Sequence, residues 1–600
     1  MAQSRRELAV AGILLVAVTL AAYLPALDAG FIWDDDDYVT RNPVLRSLDG
    51  LRRIWLEPTS IPQYYPLVHT TFWIEHALWG LDPFGYHLVN VLLHAASAVL
   101  VFAILRRLAI PGALLAALVF ALHPVHVESV AWITERKNVL SGFFYLLALL
   151  AWVRARPPAP VPEAKRRVPE AKRRVPEPKR RVPEAKRRVP ETKRPMPGTK
   201  RPVVEAKRPV AAMVFFVCAL LSKTVTCTLP VAILLIEWWR RGRVDRRDVA
   251  RVAPMLVVGA ALAAVTIWLE RVHVLARGAE WSLSIAERLL VAGRALWFYA
   301  AKLLWPVGLT FNYPRWDVDA GALRQVAFPV AALAALATLW LLRRRIGRGP
   351  LAAVLFFAVT LSPALGFVDV FPFRYSFVAD HFQYLASIGL ITLAGATVAR
   401  RLPRLEKPAA VVLAIVLGVL TWRQSRVYES FESVWRDTLE KNPSSWLALN
   451  NLGKLHLERG ELEEAAKHLS RAADLAEDAF ETHVNLGTIR YAQGDLGGAQ
   501  RHFEKALALR PDHAVPYNNL AFVLNQRGER LRALELLEKA LEIDPDYVDG
   551  HLTIADVYAR LGRPDDALRH RLRVLELAPE RGAPGASSGA GGTGEDPGGD

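Results

Sequence analysis

The sequence predicts an all-α protein in two parts, a polytopic helical membrane domain followed by an α-solenoid. Apolar runs of membrane-spanning character recur between Leu8 and Trp422, where the 52% apolar content is concentrated. After Trp422 the chain reads as a charged helical protein ending in a glycine-rich tail, so the two parts face unlike solvents. Small residues then recur at a fixed interval of 34, the mark of a helical repeat array. Six hundred residues also exceed one compact domain.

Taken in order, the first apolar run is 8–27, preceded by Arg5 and Arg6. Its length and the absence of a small-residue cleavage site favour a retained span over a signal peptide. Further runs at 87–105, 110–122, 139–153, 210–221, 226–239, 252–269, 326–343, 350–367, 382–399 and 408–422 bring the expected total to about 11 spans. Several are short, which calls for helical extension or hairpin pairing. The basic loops are Arg106-Arg107, 154–208, 240–251, 343–348 and 400–407, and all fall on one side when the N-terminus is inside. Glu287 to Trp305 would break that agreement if it crossed, and it carries Arg288, Arg294 and Lys302. We read it as a re-entrant or surface-lying outer helix, which also leaves everything after Trp422 outside.

The formal charge of +16 does not indicate nucleic acid, because residues 161–209 alone hold 18 Lys and Arg against 6 Glu. That insert is seven heptads of the type VPEAKRR, and its prolines forbid a continuous helix. An unstructured cytoplasmic linker in reach of anionic lipid is expected. Cys218 and Cys227 exclude a disulfide framework.

In the last large segment Gly460, Gly494, Gly528 and Gly562 keep step with Ala465, Ala499, Ala533 and Ala567. A third register of Gly453, Gly487, Ala521 and Ala555 marks close helix approach, and Pro511, Pro545 and Pro579 close successive units. The pattern is that of four tetratricopeptide repeats, whose stacked helix pairs leave a groove suited to an extended polypeptide. The organisation is therefore a membrane domain over 1–160 and 210–422 with the linker 161–209 between its parts. A connector 423–443, the repeats 444–579 and an unstructured tail 580–600 follow.

Ionisable residues beside a membrane are costly and mark function. The first outer loop opens FIWDDDDYVTRNP, where repulsion among Asp34, Asp35, Asp36 and Asp37 raises a carboxylate pKa towards that of a general base. A solvated or calcium-binding loop fits the same spacing. The second outer loop, HPVHVESVAWITERK, offers His123, His126 and Glu128, then Arg136 and Lys137. Two histidines three apart suit either a divalent metal or the orientation of carboxylates, although Pro124 argues against one helical face. Arg136 and Lys137 suit a phosphate. Lys223 in SKTVT and Arg374, Asp380 and His381 in FPFRYSFVADHFQYL add to the outer set. No GxSxG, P-loop or HExxH occurs, which disfavours soluble hydrolases and ATPases.

With these strings in view, WDDDDYVTRNP, HPVHVESVAWITERK, SKTVTCTLP, LLWPVGLTFNYP and ADHFQYLASIGL, the chain resembles the transmembrane and tetratricopeptide-repeat (TMTC-like) proteins, glycosyltransferases of the GT-C type, in wording nearest a prokaryotic branch. The resemblance implies a GT-C-like membrane domain that transfers a sugar, mannose or a similar hexose, from a polyprenyl-phosphate donor to a Ser/Thr or other hydroxyl on the outer face of a bacterial inner membrane. It places the catalytic acidic pair on Asp34 and Asp35, and the second-loop motif on His123, His126, Glu128 and Arg136. His381 stands where relatives carry Arg, and Ala386 where they carry Pro.

The expected mechanism has Asp34 or Asp35 deprotonate the acceptor while Arg136, Lys137, Lys223 and Arg374 receive the lipid phosphate. Asp37, His123, His126, Glu128, Asp380 and His381 would support them, and the repeat groove would hold the acceptor polypeptide. A non-catalytic membrane-anchored repeat scaffold is the rival from another class, and a transporter a weaker third.

Overall fold

The computed structural model describes residues 2–155, 204–272 and 283–578, and their regular structure is helical throughout. The unstructured tail expected over 580–600 and most of the unstructured linker expected over 161–209 lie outside the described residues, but the linker's last residues, 204–209, instead open the helix Val204–Leu220. Cys218 and Cys227 are free thiols.

Each apolar run of the sequence overlaps a helix, from Ala2–Ala22 to Glu406–Val427. Among the described residues four helices, Pro83–Arg107, Arg246–Arg271, Leu323–Ile346 and Glu406–Val427, are by length and composition able to cross a membrane. A fifth arises if Ala113–Leu122 and Pro124–Ala131, bent by 53°, form one broken span. Proline fixes the backbone where this pair bends, with His123 extended and Pro124 opening the second segment. Leu323–Ile346 has no buried residue although it is almost wholly apolar from Val326 to Leu342. A helix apolar on every side and uncovered by protein has lipid as its solvent.

The helices gather their loops at two ends. At one end Arg106 meets Glu7 at 3.6 Å, Trp152 donates to Glu237 at 3.4 Å, and Arg348 donates to the Trp238 carbonyl at 3.2 Å. These are the segments flanking the basic loops. At the other end the segments around Trp33, Thr134, Lys223, Phe311 and His381 converge. Helix Ile285–Leu304 has both its termini there: Arg288 binds the Gly366 carbonyl and Asp369, while the Leu303 carbonyl receives His123 at 3.0 Å. Both ends of the helix therefore stay beside the same group of loops, in keeping with a helix that does not cross.

The repeats are four helix pairs, beginning with Trp446–Glu458 and Leu462–Leu475 and ending with Val548–Arg560 and Pro564–Leu577. Their two glycine registers have different physical causes. Gly494 and its three equivalents turn the chain at φ between +73° and +83° with open space at the Cβ position, so only backbone freedom is needed. At Gly487 a Cβ would lie 2.4 Å from Cε1 of Phe503, so the need there is space.

The connector is more than a link. It contains the capped helix Phe431–Lys441, whose Trp435 is fully buried. From its end Lys441 donates to the Leu309 carbonyl at 2.7 Å and Asn442 to the Asn312 carbonyl at 3.1 Å. Ser445 adds a 2.9 Å bond to the Asn312 side chain. The first repeat is thus seated on the loop end of the membrane domain.

Candidate active site

The site begins with a strained turn. Trp33 has φ of +44°, a region a tryptophan rarely adopts. Its indole is held by stacking on Trp132 at 5.7 Å and by edge contacts with Phe311 and Trp435. The neighbouring carboxylates then diverge. Asp35 is fully buried and accepts from the Ile32 amide at 2.8 Å, the Thr134 amide at 2.8 Å and the Thr134 hydroxyl at 2.6 Å. It ties this loop to the one that carries Thr134. Burial raises its pKa to about 7 against the pull of those donors. Asp34 instead faces a cavity of about 190 Å³. Shielding from water lifts its pKa to about 7; Lys137 opposes the shift, and Asp37, Asp35 and Glu135 reinforce it.

Glu135 is the centre of the cavity's charge. Lys137 and Lys223 each approach it to 3.3 Å, and His381 Nε2 stands at 3.9 Å. The other face of His381 meets Glu128, at 3.0 Å through Nδ1 and at 2.9 Å through its backbone amide. Burial disfavours the Glu135 charge, but His381, Lys223 and Lys137 outweigh it and hold the pKa at about 2. Lys223 is lowered by burial to about 8 despite Glu135. The Lys137 ammonium also sits 5.1 Å from the Tyr38 ring. Two lysines, the carboxylates of Asp34, Glu128, Glu135 and Glu270, and aromatic walls thus line one cavity.

Of the residues singled out in the sequence, Asp34, Glu128, Lys137, Lys223 and His381 line this cavity. Others require correction. Asp35 does not face it, because its oxygens hold the turn. Arg136 is completely buried and bonds Asn90, Thr71, Glu75 and the Tyr86 carbonyl, so it cannot receive a donor phosphate in this arrangement. Arg374 grips Glu481 of the second repeat at 2.7 and 3.4 Å and lies over Trp446, joining the two parts of the protein. His123 and His126 bind the Leu303 and Phe120 carbonyls and orient no carboxylate. Among the described residues no three His, Cys, Asp or Glu side chains are grouped to hold a metal ion. Asp380 accepts from Tyr313 at 3.0 Å on both oxygens, and burial followed by Glu128 pushes its pKa well above the usual range. Asp37 contributes charge near Asp34.

Sequence reasoning missed Glu135, Glu75, Trp33 and Glu270, the last a cavity residue held by Gln63 at 3.0 Å. The signal for Glu135 was present in ITERK, a carboxylate two residues from one of its lysines.

The Arg374–Glu481 pair is nearly enclosed, with 9% and 17% of the side chains exposed. A double-mutant cycle of Arg374→Glu and Glu481→Arg should show each single change destabilising the array's seat and the double change recovering it. The coupling expected is about 0.5–3 kcal/mol, read from thermal unfolding.

Fold and site together define a helical membrane protein with a tetratricopeptide solenoid docked at a charged cavity. The family described as tetratricopeptide repeat matches residues 422–480, 478–546 and 524–583. The first of these takes in the connector helix. Among curated proteins the chain is 30% identical over 158 residues to protein O-mannosyl-transferase F38B6.6 of Caenorhabditis elegans, covering 24% of this chain and 23% of that one. It is 37% identical over 149 residues to protein O-mannosyl-transferase TMTC2 of Mus musculus, covering 23% and 18%. It is 34% identical over 164 residues to protein O-mannosyl-transferase TMTC4 of Homo sapiens, covering 23% and 22%. The chain thus spans less than a quarter of the length of each of these relatives. Among solved structures, the crystal structure of MamA protein covers 25% of this chain and 82% of its own at 24% identity and a TM-score of 0.22. The chain thus carries tetratricopeptide repeats and is similar, over 23–24% of its length, to protein O-mannosyl-transferases that include TMTC2 and TMTC4.

Proposed function

We propose that this chain is a membrane glycosyltransferase that moves a hexose, mannose or a close analogue, from a polyprenyl-phosphate donor to a hydroxyl of a polypeptide. The observation that carries the reading is the single cavity in which Asp34 faces Lys137 and Lys223. The names of the matched relatives, protein O-mannosyl-transferases, support it at the level of O-mannosylation.

In this reading Asp34 accepts the acceptor's proton as its oxygen attacks the sugar's anomeric carbon, and the bond to the lipid phosphate breaks. A phosphate leaves as an anion, so it needs cations more than an acid, and Lys137 and Lys223 supply them. Glu135 holds both ammonium groups in position before the donor arrives, and His381 braces Glu135 from Glu128. With Asp34 as base and the two lysines as the cationic side, the reading is a single displacement with inversion.

Leu447 of the first repeat lines the cavity, so a polypeptide held by the solenoid enters at high local concentration. The basic segments lie at the opposite end, which supports reading the cavity and the repeats on the outer face of a bacterial inner membrane.

The test is the pH dependence of hexose transfer by the purified protein from a polyprenyl-phosphate hexose to a Ser/Thr peptide. Asp34 ionises as pH rises through about 7, and Lys223 loses its proton through about 8. Transfer should therefore be bell-shaped and greatest between these values. A flat profile from about pH 6 to 9 would remove both assignments.

A further inference from the structure

Two of the four repeats carry a histidine pair at the same register. His483 and His502 in the second repeat face each other Nδ1 to Nδ1 at 3.3 Å. His551 and His570, each 68 positions further on in the fourth, do so at 2.8 Å. The outer nitrogens are also equivalent: His483 Nε2 lies 3.2 Å from the Glu477 carbonyl, and His551 Nε2 lies 2.9 Å from the Pro545 carbonyl. A carbonyl can only accept, so each of these nitrogens carries the ring's hydrogen. The neutral ring then aims its Nδ1 lone pair at the partner histidine. A metal-bound histidine is typically arranged this way, with its second nitrogen donating to a carbonyl.

The third repeat separates what folding needs from what it does not. At the same two registers it carries Tyr517 and Leu536. The Tyr517 hydroxyl donates to the Pro511 carbonyl at 3.1 Å, so a donor at the first position is explained as a cap on the preceding turn. The second histidine has no such explanation, since leucine serves there. In the first repeat the registers hold Leu449 and His468, and His468 stacks on His456, whose Nδ1 is bound to Glu461. Only the second and fourth repeats place two imidazole nitrogens face to face at these registers.

We propose that each of these pairs is a chelate for a divalent transition ion of the zinc, nickel or copper class, bound by two Nδ1 atoms with water in the remaining positions. Nitrogens about 2.0–2.1 Å from one ion stand about 2.8–3.0 Å apart at a right angle and about 3.3–3.4 Å apart at a tetrahedral angle, which matches the two separations found. The ion replaces the hydrogen between the rings. The second histidine shifts its proton to Nε2, both rings stay neutral, and the ion staples the two helices of the repeat. Lys505, Arg490 and Arg501 oppose a cation in the second repeat, with Asp495 in its favour. At the fourth-repeat pair one cation, Arg569, is balanced by one carboxylate, Asp566, beside His570. The fourth-repeat site is therefore the tighter.

The test is titration of the full chain in detergent with Cu(II), followed by calorimetry and electron paramagnetic resonance. His502→Leu and His570→Leu place at each site the residue the third repeat already uses, so the fold is retained, as metal-free melting will check. Each single variant should bind one ion fewer than the parent and the double variant two fewer, with loss of the two-nitrogen signature and of metal-induced stabilisation. Unchanged stoichiometry in the double variant, or no nitrogen-coordinated copper in the parent, would overturn the proposal. Neither outcome bears on sugar transfer.

Discussion

Asp34→Asn is expected to lower hexose transfer by about 10²–10⁴-fold while leaving the protein folded, the usual cost of removing a general base. The exchange keeps shape and removes the proton-accepting charge. It also spares the turn, whose hydrogen bonds come from Asp35 and not from Asp34. Asp35→Asn gives the contrast. An amide there turns a donor towards a site lined by the Ile32 and Thr134 donors, so thermal stability should fall together with activity. The discriminating measurement pairs initial rates with melting temperatures for both variants. If Asp34→Asn transferred at the parental rate, the base would have to be sought elsewhere and the cavity would lose its catalytic reading.

The contrast between these neighbours shows where sequence reading stops. The run of four aspartates marked the right loop, yet repulsion among identical residues cannot tell which one faces a ligand. Here the positive φ of Trp33 turns Asp34 to the cavity and Asp35 to Thr134. Arg136 and Lys137 pose the same problem: consecutive helical residues diverge by about 100°, so a pair at the head of helix Arg136–Arg154 cannot both reach one phosphate. Glu135 was illegible as a centre because Lys223 is 88 residues away, and Arg374 was misread because its partner Glu481 is 107 residues away in another part of the fold. The solenoid was legible for the opposite reason. Its glycines recur at one spacing because every repeat needs the same left-handed turn, a local requirement that sequence alone expresses. The connector helix had a local signal too, Ser430 and Ser433 forming its capping box, but its short length hid it beside the long apolar runs.

Arg136→Met should be destabilising rather than selectively inactivating, by about 3–5 kcal/mol, the usual cost of removing one partner of a buried ion pair. Glu75 is only 3% exposed and meets this guanidinium through both oxygens. Without it a carboxylate remains in an apolar wall beside Phe72, while Asn90 and the Tyr86 carbonyl lose their donor. Helices Pro66–Trp79 and Pro83–Arg107 then lose the bonds that Arg136 makes to them from the loop that presents Glu135 and Lys137. Activity would fall as a consequence, so rate alone cannot separate this role from phosphate binding. The second change does. Adding Glu75→Leu removes the stranded charge, and the double variant should regain much of the lost stability in detergent unfolding, because an apolar pair of similar volume is often as stable as the ion pair. A phosphate ligand predicts the reverse pattern: Arg136→Met would melt like the parent and fail to bind the lipid donor, and Glu75→Leu would recover nothing. Lys223→Met supplies the reference for that pattern. Its ammonium faces the cavity, so its loss should weaken transfer with a much smaller effect on unfolding than Arg136→Met.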